Sequence, residues 1–331
     1  MRKTLIYLGI LALGGGIIYW RIRSQRPPVE LAYCGERKAT LWSSSAQVRE
    51  PLTLLSYGEK LDVLSRLGDN VKVRTGQGVT GWVDQRQLMD PQLWDRVTAL
   101  FSLTRAMPVQ AVGHTKAVSN LHIEPGREAL RIVQVGRTVP VDVLERKVMD
   151  VPTAGDPDAI AGQEPRREDW LLVHAKVQDL GEFAGWVLGR FIELDMPAPL
   201  PDYANAAGVH VAGWFVLNHV PDPSGPKPQY LVIATRGGEG QPCDFTMLRA
   251  YTWGSKRKRY ETAYTESGLC GLMPVHLTTA TQLDGDADFW FNEITFDGKQ
   301  EARYHMHQTL IRRVREPGEV KHPRVKSAQH K

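Results

Sequence analysis

Cysteine is scarce in this chain: Cys34, Cys243 and Cys270 are all that its 331 residues hold. Three thiols cannot staple a disulfide scaffold, and no C-x-x-C pair or Cys/His spacing of a zinc site occurs. Two states stay open for Cys243 and Cys270: a bridge, if the body lies in an oxidising compartment, or buried free thiols, with Cys34 left over. A body with an excess of positive charge is missing too. The formal net charge is +4, but residues 1–26 carry five basic residues and no acid, while residues 312–331 carry seven basic and two acidic. Residues 27–311 are therefore at −6. That excludes a nucleic-acid-binding core, whose counterion-releasing contacts need Lys and Arg gathered on one folded surface. Disorder of the whole chain is excluded by 42% hydrophobic and 24% charged residues. An activated nucleophile with its base is also lacking, since neither Cys243 nor Cys270 opens a helix that would lower a thiol pKa. We assign no catalytic residue and expect no cofactor.

Long apolar runs are absent but for one. Residues 4–20 contain no charge, lie between Arg2-Lys3 and Arg21, and end on Tyr19-Trp20, an aromatic pair suited to a membrane interface. No small-x-small cleavage site follows, so the segment reads as an uncleaved transmembrane anchor. Basic residues balance across it, so orientation has to come from the body.

From Glu30 onward the pattern turns to short alternating runs. Residues 57–64 alternate after a glycine turn, 70–74 alternate again, and a glycine-rich hairpin closes on Gly81-Trp82-Val83. The order recurs at 135–144, at Asp169-Trp170-Leu171-Leu172-Val173 and at Gly185-Trp186-Val187, which marks two copies of one small β barrel. The insertion at 147–168 in the second copy is rich in Asp, Gly, Pro and Ala and reads as a mobile surface loop. Between the copies, Leu93, Val97, Leu100 and Phe101 take helical spacing and predict a connecting helix over 92–106. A Pro-rich linker at 196–201 leads to a third region, where strands are predicted at 214–220, 229–235, 245–253, 260–265, 272–277, 289–296 and 303–314. These fit an antiparallel meander or sandwich. The expected organisation is thus a basic N-terminus at 1–3, an anchor at 4–20, a stalk at 21–29, barrels at 30–90 and 111–195 around a connector at 91–110, a linker at 196–208, a β domain at 209–314 and a disordered basic tail at 315–331.

Both barrel copies resemble bacterial Src-homology-3 (SH3b) domains. The matching residues are Ala39-Thr40-Leu41-Trp42, Gly58, Val71 and Gly81-Trp82-Val83 in the first, and Ser119-Asn120-Leu121-His122, Gly136, Trp170 and Gly185-Trp186-Val187 in the second. The family usually has Asn-Leu-Arg in the early strand, and here Trp42 and His122 stand in place of the arginine. As a whole, residues 30–314 resemble uncharacterised envelope proteins of acidobacterial type, with tandem SH3-like barrels and a C-terminal β meander. The resemblance implies a body outside the cytoplasm and supplies no activity; together with the anchor at 4–20, it gives the expectation of a single-pass inner-membrane protein with its body in the periplasm.

Such barrels bind extended peptides in aromatic grooves. Trp42, Tyr57, Trp82, Trp170 and Trp186 are the candidate lining residues, although Trp82 and Trp186 are expected to be buried closures of each barrel. Peptide, peptidoglycan or another envelope protein is the expected partner. Lys256, Arg257, Lys258 and Arg259 form the body's one dense basic cluster, a candidate contact for anionic surfaces. His305 and His307 share a strand face and, with His276, are weak metal-ligand candidates. They leave an alternative function, a hydrolase or metal-dependent enzyme in the C-terminal β domain.

Overall fold

The computed structural model describes residues 30–151, 165–278 and 283–314. The expected anchor at 4–20, most of the insertion in the second copy and the tail at 315–331 lie outside the described residues. Among the described residues no helix is long and apolar enough to cross a membrane. The chain divides into two compact units, one ending at Trp94 and the other beginning at Asp95.

The first unit is built from β1 (Glu30–Cys34), β2 (Lys38–Trp42), β3 (Pro51–Ser56), β4 (Lys60–Leu67), β5 (Asn70–Thr75), β6 (Thr80–Asp84) and β7 (Leu88–Met89). They pair antiparallel in the order β3-β2-β6-β5-β4-β1-β7. Alternation along each strand sends Ala32, Cys34, Leu41, Leu61, Val71, Val73 and Val83 into one shared core. A single cluster fed by strands from across the sheet requires the sheet to curl over it.

In the second unit, β8 (Ala111–Thr115), β9 (Ser119–His122), β10 (Arg131–Val135), β11 (Pro140–Asp150), β12 (Arg167–Val177), β13 (Gly181–Leu188) and β14 (Ile192–Leu194) repeat that order strand for strand, as β10-β9-β13-β12-β11-β8-β14. The expected barrels are not closed: among the described residues no ladder joins β3 to β7 or β10 to β14, so each sheet is open. The two described ends of the expected mobile loop are strand instead. Residues 147–150 continue β11 and residues 167–168 begin β12, paired from Lys147↔Trp170 to Asp150↔Arg167.

Helix α1 (Pro91–Thr104) follows β7 in the chain. The Asp90 carboxylate accepts the Leu93 N–H at its start, as an N-cap does. The linker is not plain coil, because it contains α2 (Leu200–Ala207), ended by Gly208 at φ +60°.

The third sheet is a meander of β15 (His210–Val220), β16 (Lys227–Thr235), β17 (Phe245–Gly254), β18 (Arg259–Thr278), β19 (Ala287–Thr295), β20 (Gly298–His307) and β21 (Leu310–Val314), paired in chain order. Two predicted strands fuse into β18 because Gly271 is not a turn residue. It lies against the Phe245 ring, where a Cβ would come within 2.1 Å of the ring, and beyond a bulge it pairs with both Phe245 and Glu293 as a strand residue. The predicted strand at 303–314 instead splits, since Gln308 takes φ +55° and makes a turn without glycine or proline to announce it.

Within the second unit, two buried polar groups join the second sheet to the third. The Gln110 side chain accepts from the Val275 N–H at 2.7 Å and donates to the Val275 carbonyl at 3.1 Å, while its backbone carbonyl accepts from Trp214. Arg146 donates to Asp169 at 2.6 Å, to Asp244 at 2.8 Å and to the Gln241 carbonyl.

Candidate functional site

Each Gly-Trp pair sits on a strand that must pass close to its neighbour. A Cβ at Gly81 would meet Leu41 Cγ and the Trp42 carbonyl at 2.7 Å, and one at Gly185 would meet Leu121 Cβ at 2.8 Å. The glycine therefore faces the core, and alternation turns the tryptophan after it to the outer face. Trp82 is half-buried there, opposite Trp42 in the β2–β6 ladder, and does not close the barrel. The Arg49 guanidinium lies 4.4 Å from the Trp42 ring centre, and the Lys72 ammonium lies 5.9 Å from that of Trp82. Tyr57 belongs elsewhere: with Tyr33 it packs on Trp94, and its hydroxyl reaches the Met89 sulfur.

In the second copy His122 faces Trp186 in the same way. The ladders fix the remaining correspondences. Val71 pairs with Val83 and Leu171 with Val187, so Trp170 corresponds to Asn70 and not to Val71. That one-residue offset puts Trp170 on the outer face. The face is not open, however, because Leu100, Met107, Met149 and Leu188 pack over Leu144, Trp170, Leu172 and Trp186. Phe101 and Thr104 of α1 touch His174, whose pKa is pushed down by burial. Both sheets carry a bulge at equivalent leucines, Leu64 and Leu144, yet Leu64 is 44% exposed and Leu144 1%. Leu144→Ala should cost about 2–5 kcal/mol and Leu64→Ala less than about 0.5 kcal/mol in urea unfolding. Equal losses would contradict the covered face.

Beside the covered face opens a cleft of about 390 Å³, lined by Asn120, His122, Arg127, Trp170, Arg190 and Phe191 among others. The His122 Nδ1 donates to the Ala129 carbonyl at 2.8 Å, and its ring meets Trp170 edge-on at 5.3 Å. Glu168, 2% exposed, accepts from Arg127 Nε at 2.9 Å and Arg190 Nη1 at 2.6 Å, with Arg166 at 3.6 Å. Burial pushes its carboxyl up, but the hydrogen bonds and charges of Arg127 and Arg190 outweigh this and hold it at about 2. Sequence reasoning missed Arg127, Glu168 and Arg190. The signal available was the alternation Glu168, Trp170, Leu172, obscured by the composition of the preceding insertion.

The remaining candidates are scattered. The basic cluster is largely compensated: Arg257 and Arg259 pair with Glu261, and Lys258 pairs with Asp222. Hydrogen bonds from the Ser224 backbone and hydroxyl and from the Trp253 indole hold the Asp222 carboxyl well below the usual range. Lys256 remains exposed. His305 and His307 engage Asp288 and Asp286 through Nδ1 at 2.8 and 2.7 Å, while His276 stacks on Trp290. Among the described residues no three His, Cys, Asp or Glu side chains are grouped to hold a metal ion. Cys243 and Cys270 are joined as a disulfide. Cys34 is buried, and its thiol pKa is raised by burial.

No family model matches the chain, and no curated protein matches it. Among solved structures, an NlpC/P60 family protein from Bacillus cereus ATCC 10987 is 18% identical, covering 57% of this chain and 65% of that one, with a TM-score of 0.22. NlpC2 from Trichomonas vaginalis is 8% identical over 82% of this chain and 91% of that one, with a TM-score of 0.17. NlpC1 from the same organism is 10% identical over 84% and 88%, with a TM-score of 0.18. These likenesses are too low to assign a family.

Proposed function

We propose that the protein is a non-enzymatic binding protein of the bacterial envelope, anchored by residues 4–20 with its body in the periplasm. It binds peptide, peptidoglycan or an envelope protein through its Src-homology-3-like sheets. The observation that carries this reading is the Trp42–Trp82 pair: two half-buried indoles side by side on an outer face, each with a cation against it. Rigid rings of this kind give contact area at small entropic cost. Placement outside the cytoplasm is supported by the Cys243–Cys270 bond, since such bonds persist in oxidising compartments.

The test is retention of the detergent-solubilised full chain on purified cell-wall material and on immobilised envelope extract. Trp42→Ala with Trp82→Ala should weaken retention by about 30-fold, as loss of an aromatic anchor does. Absence of retention by the parent chain on both supports would overturn the reading. A periplasmic reporter joined after Lys331 should be active, and activity of a cytoplasmic one in its place would reverse the topology.

A further inference from the structure

We infer that the cleft beside His122 is a second binding site, one that takes a carboxylate carried on an apolar body, such as the free end of a peptide with a bulky last residue. The two copies differ in what their equivalent arginines engage. In the first, Arg86 is closed onto the neighbouring Asp84, through Nε at 3.1 Å and Nη2 at 2.7 Å. Asn70 pairs with Asp84 and Trp170 with Leu188, so Leu188 occupies the place of Asp84, and Arg190, two residues on, the place of Arg86. The second copy has thus exchanged the local carboxylate for a leucine. Arg190 turns instead to Glu168, which engages its Nη1.

That exchange leaves Nε and Nη2 of Arg190 for a ligand, with the guanidinium plane held by a buried acid. A donor fixed in this way loses little freedom on binding, which is what favours a carboxylate over water. Among the described residues, Glu168 is paired with Arg190, Arg127 and Arg166, and Glu239 lies 3.8 Å from Arg190. His122 lines the same space, with its Nδ1–H committed to a carbonyl, so the neutral ring offers a ligand an acceptor at Nε2 and the donors for a carboxylate are those of Arg190. Trp170, Leu188 and Phe191 supply the apolar wall. A concave site of this volume with an aromatic wall and a few convergent polar groups is the usual form of a small-ligand site. The site shares no residue with the Trp42–Trp82 pair, so it can fail or succeed independently of the wall-binding reading.

Calorimetric titration of the full chain in detergent tests it, using N-acetylphenylalanine, its carboxamide and inorganic phosphate. The acid should bind at least about tenfold more tightly than the amide, the usual effect of a charge-assisted hydrogen bond, and added salt should reduce that preference. Arg190→Gln should abolish the preference, while Arg86→Gln should leave it intact. Because Arg190→Gln also disturbs Glu168, a second variant is needed: Leu188→Asp, which offers Arg190 a carboxylate of its own, should abolish the preference with circular dichroism unchanged. Equal binding of acid and amide, binding of phosphate without the acid, or a preference that survives both variants would overturn the assignment.

Discussion

Replacing Arg146 by alanine should lower the free energy of unfolding by about 3–5 kcal/mol, the cost of leaving buried carboxylates without their partner. Arg146 is 8% exposed and Asp244 7%, so water cannot take the place of the guanidinium. The variant takes the cation from two acids at once, because the half-buried Asp169 accepts from the other terminal nitrogen of the same guanidinium, and each acid is left with one main-chain donor, Gly240 N–H for Asp169 and Met273 N–H for Asp244. Two main-chain carbonyls, those of Gln241 and Cys243, lose a donor as well. A surface pair provides the control. Arg66 is paired with Glu30 with both side chains well exposed, and Arg66→Ala should cost less than about 1 kcal/mol. Urea unfolding of the two variants and the parent measures both, and a loss below about 1 kcal/mol for Arg146→Ala would show that the network contributes little to holding the second sheet to the third.

Reduction of the Cys243–Cys270 bond should have an effect of similar size. The bond closes 27 residues of chain, for which the chain-entropy relation gives about 3.5 kcal/mol near room temperature. The closed segment runs from the start of β17 through most of β18, so release should loosen the long hairpin before the rest of the third sheet. Thiol titration of the unfolded protein without reductant should find one reactive thiol, Cys34. Three would refute the bond, and with it the argument for an oxidising compartment. If the thiol count is one but reduction leaves the urea midpoint unchanged, the bond constrains nothing that unfolding releases.

Arg146 and the two bridged cysteines differ in how far the sequence announces them. A Cys243–Cys270 bridge was one of two states the composition left open, whereas Arg146 carried no signal. Its partners lie 23 and 98 residues away, and no local pattern reports such a distance. Strand alternation, in contrast, was visible through most of the chain, because Val71 and Val73, Leu61 and Val63, or Phe289 and Phe291 recur at the period of a half-buried strand. What alternation did not settle was the face of the large aromatics. Trp82 was read as a closure because it follows a glycine, although the inward Gly81 and Val83 on either side already place it outward. At Trp170 the matching of hydrophobic with hydrophobic misaligned the copies by one residue, and in a strand one residue is the difference between core and surface. The insertion misled in another way. Its Asp, Gly and Pro content drew Lys147 and Glu168 into a loop reading when both belong to strands.

A chain that carries one strand order twice faces a sorting problem as it folds, since β5 and β12 offer their backbones to equivalent neighbours. The offset between them supplies an answer. Were β12 to pair in the first sheet, Trp170 and Leu172 would be left facing water, with nothing to cover them. Were β5 to enter the second, the Lys72 ammonium would have to be desolvated beneath Leu100 and Met107. Both errors carry penalties that correct pairing avoids, so the same substitutions that make one face wet and the other dry also guide each strand to its own sheet, and sequence divergence between the copies becomes a condition of reliable folding.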